Sequence, residues 1–126
     1  MAARLVTGTS RFDHISPTLR QLHWLPVKKR IVFKLMLITY KSLNNQSPAY
    51  IREMIVTRST TCTRSLRSTT DKSVLFVPQC RLRTYGDRAF AVAAPKLWNS
   101  LPDYVRQAPS TGIFKSRLKT HLYNSL

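Results

Sequence analysis

Seven prolines set the grain of this 126-residue chain: Pro17, Pro26, Pro48, Pro78, Pro95, Pro102 and Pro109. Proline has a fixed φ and no amide hydrogen, so it suits the start of a helix and interrupts its interior. Ser16-Pro17 and Ser47-Pro48 each place a capping hydroxyl before a proline at the first helical position. They predict a short helix from Pro17 to about Trp24 and another from Pro48 to about Ile55. Between them Pro26 opens the longest uninterrupted segment, predicted to be helical from Val27 to Leu43 and closed by Asn44-Asn45. Val27, Ile31, Leu35 and Ile38 recur at helical spacing. Val32, Phe33, Met36, Leu37, Tyr40 and Leu43 widen that face, which predicts a helix packed on more than one side.

Residues 57–72 are mostly Ser and Thr with Arg58, Arg64, Arg67 and Lys72, and nothing there can build a core. They read as an exposed basic loop between a helical half, 1–56, and a second half, 73–126. The second half begins with β character from Ser73 to Val77, stopped by Pro78, and Arg81 to Tyr85 can return beside it as a hairpin. Gly86 supplies a turn, and Asp87 is placed to cap a helix from Arg88. Phe90, Ala94, Leu97, Trp98 and Leu101 share helical spacing, with Pro95 expected to kink or restart that helix. Pro102 starts a short turn, and Ser110 caps a final helix with Phe114, Leu118 and Leu122 on one face. Trp24 and Trp98, in Leu-rich segments bounded by proline, are expected in the core. The expected fold class is therefore mainly α with a small β-hairpin (α+β).

Lys plus Arg number 21 against 5 Asp plus Glu, a net charge of +16, and the excess is spread along the whole chain. With 43% apolar residues the chain can bury a modest core, so wholesale disorder is excluded. Such a bias opposes compaction unless a polyanion offsets it, which makes RNA or DNA the expected partner through phosphate contacts. An anionic membrane surface is the competitor. No apolar run approaches the ~18 residues of a membrane span, and Lys34 breaks the best one, so no membrane partner is expected. The start of the chain lacks the apolar core of an export signal. The expected address is intracellular, in the nucleus and/or cytoplasm.

Catalytic chemistry finds little to work with. Asp13, Glu53, Asp71, Asp87 and Asp103 share no local motif, whereas a two-metal site needs several converging carboxylates. Cys62, Cys80, His14, His23 and His121 lack the close pairing of zinc ligands, and the cysteines read as reduced thiols. No glycine-rich phosphate cradle is present. Neither an enzyme, a cofactor, a metal nor a small-molecule substrate is expected.

Binding features are richer. On the second predicted strand, Arg81, Arg83 and Tyr85 share one face, combining charge for phosphate with a plate for a base. A merely solvated strand face would look the same. Arg58, Arg64 and Arg67 could order on a phosphate backbone or simply confer solubility. Lys28, Lys29 and Arg30 oppose the dipole at the start of the long helix, yet a basic cluster there can recruit phosphate.

Longer strings carry a resemblance. Leu22-His-Trp-Leu-Pro-Val27, Arg30-Ile-Val-Phe-Lys-Leu35, Tyr40-Lys-Ser-Leu-Asn44, Ser65-Leu-Arg-Ser68 and Thr84-Tyr-Gly-Asp-Arg-Ala-Phe90 occur in order. Ala93-Ala-Pro-Lys-Leu-Trp-Asn-Ser-Leu-Pro102 and Phe114-Lys-Ser-Arg-Leu-Lys-Thr-His-Leu122 complete the series. Together they resemble the C-terminal segment of reverse transcriptases from non-LTR (LINE-type) retrotransposons of the jockey-like and chicken-repeat group. The resemblance implies a helical fragment lying C-terminal to a polymerase thumb, in a parent that copies RNA into DNA. The family's polymerase and endonuclease motifs lie upstream of this segment, so no catalytic residue carries over. It implies a contribution to RNA or DNA binding, with the rest of a reverse transcriptase as a further partner. The binding candidates are Arg30, Lys34, Arg67, Arg81, Arg83, Tyr85 and Arg88. Two alternatives stand beside this reading: a protein-interaction or structural module without its own activity, and an independent basic ribosome-associated protein.

Overall fold

A computed structural model describes residues 2–58, 74–80 and 86–125. Helices α1 (Ala2–Thr7) and α2 (Ile15–Gln21) pack together at the N-terminus, and α3 (Val27–Leu43) and the short α4 (Ala49–Glu53) follow. After a single 3₁₀ turn, Gly86–Arg88, come α5 (Phe90–Asn99), α6 (Asp103–Arg106) and α7 (Thr111–Asn124). The mainly helical expectation holds among these residues.

Prolines start helices here: Pro26 precedes a helix with the expected bounds, whereas Pro48 stands one position before the helix it was expected to begin. Pro26, Pro48 and Pro102 are the N-cap residues of α3, α4 and α6, with φ between −64° and −56° and ψ between 150° and 156°. That extended conformation is native to proline, and the carbonyl is left to accept the first helical bond, as Pro26 does from Arg30 N at 3.0 Å. Ser47 therefore caps nothing; its hydroxyl meets that of Ser42 at 2.9 Å. Helix α2 begins earlier than expected, at Ile15 after His14, which leaves Ser16-Pro17 inside its first turn, where an amide hydrogen is dispensable. Ala89, not Asp87, precedes α5, and the Asp87 carboxylate instead pairs with Lys96 Nζ at 2.8 Å. Pro95 neither ends nor restarts α5, which continues to Asn99 with the proline ring buried. One lost backbone bond is offset there by packing on the core. Ser110 caps α7 as expected, accepting from Ile113 N at 3.3 Å.

Helix α3 lies against both α5 and α7. Its buried face runs through Met36, Thr39, Tyr40 and Ser42, while Val27 and Ile31 are exposed. Val27 and Ile31, at the start of the predicted stripe, are thus outside the packing, whereas Leu35 of that stripe and the flanking Val32, Phe33 and Leu37 are half-buried against the core. There Phe114, fully buried, stacks on Tyr40 (ring centroids 4.2 Å apart) and on Trp98 (5.9 Å). The Tyr40 hydroxyl donates to Ala108 O at 2.8 Å, so a polar tip is satisfied inside an apolar cluster. At the other end Lys29 Nζ donates to Ser125 Oγ (2.7 Å) and O (3.3 Å). The start of α3 therefore sits beside the end of α7, the two helices running antiparallel, with a cation at the helix end that favours one. A single core takes Leu25, Met36 and Tyr40 from the first half, and Leu75, Trp98, Val105, Phe114, Leu118 and Leu122 from the second. The two halves inferred from sequence are thus one packed unit.

No hairpin is found among the described residues. Its second strand, Arg81–Tyr85, lies outside them, as do residues 59–72 of the basic loop and Ser73. Residues 74–77 are extended, but their partner is the end of the first half: Thr57 and Leu75 form an isolated antiparallel bridge. Arg58 N donates to Val74 O (3.0 Å) and Phe76 N to Val56 O (2.8 Å). The opposite edge of Leu75 is occupied by one side chain, Asn99, whose amide receives Leu75 N and donates to Leu75 O, both at 2.9 Å. No helix of the described residues is long and apolar enough to cross a membrane.

Candidate nucleic-acid interface

The corner between α2 and α3 gathers aromatic rings and cations at one surface. Helix α2 ends in a Schellman arrangement: His23 N donates to Arg20 O (3.0 Å) and Trp24 N to Leu19 O (2.8 Å). This geometry puts His23 in the left-handed region, with φ of 53°. Glycine or asparagine usually fills that position, and a β-carbon there costs about 1–2 kcal/mol. Helix α3 closes in the same way but uses a favoured residue, Asn45, with φ of 57°. What His23 gains is a stack on Tyr123 of α7, with rings 5.5 Å apart and 13° from parallel. Tyr123 is itself fixed by its hydroxyl, which donates to Arg20 O at 2.9 Å.

Beside this stack lies a groove of about 420 Å³ lined by His23, Trp24, Leu25, Arg30, Phe33 and Lys119. A second depression of about 280 Å³, lined by His23, Lys119, Thr120 and Tyr123, shares His23 and Lys119 with it. Leu25 is buried and forms the apolar floor, while Trp24 is 38% exposed. Arg30 is turned by an Nε bond to Leu25 O at 2.6 Å, which leaves its terminal nitrogens for other acceptors. No carboxylate lines either depression. Helices α3 and α7, which supply Arg30 and Lys119, contain no acidic residue at all; their Lys28, Lys34, Lys115 and Lys119 are exposed. Aromatic plates, a shallow apolar floor and flanking cations can hold a planar anion-bearing ligand.

Of the residues expected to bind, the structure brings Arg30 into this groove. Lys34 is exposed one turn further along α3 and does not line it. Arg88 is exposed at the end of the 3₁₀ turn before α5. Arg67, Arg81, Arg83 and Tyr85 lie outside the described residues. Trp98 is core, at 2% exposure, but the expectation that Trp24 is core fails. Trp24 follows a helix end rather than standing within a helix, so its ring lies at a corner. His23, Lys119 and Tyr123 went unsuspected as site residues because their meeting depends on α7 returning past the α2–α3 corner. The one available signal was the two large rings ahead of Pro26.

Among the described residues no three His, Cys, Asp or Glu side chains gather into a group able to hold a metal, and Cys80 is exposed. No family model, curated protein or solved structure matches this chain.

Proposed function

We propose that this chain is the non-catalytic C-terminal segment of a non-LTR retrotransposon reverse transcriptase, and that its own biochemical capacity is to bind RNA or DNA through phosphate contacts. The observation that carries the binding half is the acid-free pair α3–α7, whose exposed cations flank a groove with aromatic walls. The ordered series of matching strings, from Leu22 to Leu122, supports the parentage. In that parent the segment steadies template or target while other regions do the chemistry. It is a part that holds and does not cut or copy.

The test is fluorescence anisotropy with labelled oligonucleotides across a salt series. Six to ten phosphate contacts predict an affinity loss of roughly 10³–10⁵ between 50 and 200 mM salt. A flat response would remove the electrostatic reading. Primer, template, nucleotides and Mg²⁺ should give no extension product, and DNA synthesis by this chain would overturn the non-catalytic assignment.

A second reading has its own support. Leu5, Val6 and Phe12 are large apolar side chains left exposed at the N-terminus. They suit a segment that packs on a protein, and concentration-dependent association in sedimentation, abolished by replacing Leu5 and Phe12 with Ser, would favour it.

A further inference from the structure

We infer that the groove at the α2–α3 corner takes an unpaired nucleobase, stacked on Trp24, with its phosphate held between Arg30 and Lys119. The preferred ligand is thus single-stranded RNA or DNA, read with little regard to base identity. This deepens the proposed nucleic-acid binding and rests on it.

Three features of the corner point the same way. A Schellman end needs only a modest apolar residue at the position of Trp24, to rest on the residue that begins the motif, here the buried Leu19. A leucine would satisfy that requirement, so the exposed indole is surplus to it. The adjoining ring of His23 is kept in a left-handed backbone, an expense that glycine would avoid, and is backed by Tyr123. Finally, the groove's two charged walls are both cationic, which excludes a cationic ligand and suits a phosphate-bearing one. A volume of about 420 Å³ falls within the ~300–1,000 Å³ range of small-ligand pockets, which is adequate for a base. In a duplex the base faces are already stacked on their neighbours, so a plate at this corner adds affinity only for unpaired strands.

The experiment compares Trp24→Leu and Trp24→Tyr with the wild-type chain, on labelled oligo(dT), oligo(rU) and a duplex of equal length at fixed salt. Circular dichroism checks that each variant remains folded. Trp24→Leu should weaken both single strands roughly five- to hundred-fold, the range for loss of one stacked base, and leave duplex affinity within about twofold. Trp24→Tyr, which keeps a ring, should recover most of the loss. Equal losses on duplex and single strand, or no loss on either strand, would overturn the stacking assignment while leaving salt-dependent binding intact. Failure of the wild-type chain to bind any of the three would remove the nucleic-acid reading itself, and this inference with it.

Discussion

Asn99 makes the sharpest test of the fold because one side chain does the work of a neighbouring strand. In an antiparallel bridge, successive residues direct their backbone groups to opposite edges. Val74 and Phe76 face residues 56–58, so the N–H and C=O of Leu75 face the other way, into the Asn99 amide at 2.9 Å each. Leu75 is only 1% exposed, which leaves water little access to either group. Asn99→Ala removes two bonds worth about 0.5–1.5 kcal/mol each and leaves a donor and an acceptor orphaned. The expected cost is about 2–4 kcal/mol, against a total stability of roughly 5–15 kcal/mol for a small domain. Urea unfolding followed at 222 nm should show a lower midpoint with an unchanged slope. The near-isosteric Asn99→Leu should fare no better, since filling the space does not pair the backbone. A loss under about 0.5 kcal/mol in both variants would show that Leu75 is not held by this amide, and would detach residues 74–77 from the core.

Two further substitutions probe strain and burial. His23→Gly should leave stability within about 1 kcal/mol, because relief of about 1–2 kcal/mol of left-handed strain offsets a lost ring stack of about 0.5–1.5 kcal/mol. His23→Ala loses the stack and keeps the strain, so it should cost about 1 kcal/mol in the same denaturation assay; equal values for the pair would refute the strain argument. The Arg106 side chain is 9% exposed and its guanidinium bonds Asp103, but Nε and Nη1 are buried without a partner. Arg106→Met should therefore be neutral or raise stability by about 1 kcal/mol in thermal melts, since a buried, half-satisfied charge gives way to an apolar chain of similar reach. A clear loss would mean that the ion pair stabilises more than its desolvation costs.

The legible parts of the molecule were those whose cause is local. The bounds of α3, the Ser110 cap and the buried Phe114–Leu118–Leu122 face follow from spacing and turn chemistry within a few residues. Pro26, Pro48 and Pro102 marked helix starts, but both Ser-Pro readings were misplaced: Pro48 is itself the cap, and α2 already begins at Ile15, ahead of Ser16-Pro17. Long-range pairing was not legible. Residues 74–77 have β character, yet nothing local says that Thr57 and a helix-borne Asn99 will sandwich Leu75. The candidate site divides similarly. Arg30 was visible as a cation on an amphipathic helix, whereas Lys119 and Tyr123 join it only because α3 and α7 run antiparallel.

That antiparallel pairing sets fold and function against each other. The ion pairs among the described residues, Lys96–Asp87 and Arg106–Asp103, lie off α3 and α7, and neither helix carries an acidic residue to offset its own cations. Their repulsion opposes folding, and either dissolved salt or bound phosphate relieves it. Lys34→Glu separates the two roles. Glu at position 34 sits one turn from Arg30, and an i,i+4 pair of opposite charges contributes about 0.2–0.5 kcal/mol beyond the repulsion removed. The variant should melt slightly higher than wild type at low salt, with the difference shrinking as salt rises. On the proposed binding, its affinity for oligonucleotides should nonetheless fall severalfold, with a shallower salt slope, because a cation available to phosphate is replaced by a like charge. A change that improves the fold and weakens binding indicates that the cation is kept for its ligand. If stability and affinity instead move together, Lys34 serves only the packing of α3, and the acid-free face loses its claim to be an interface.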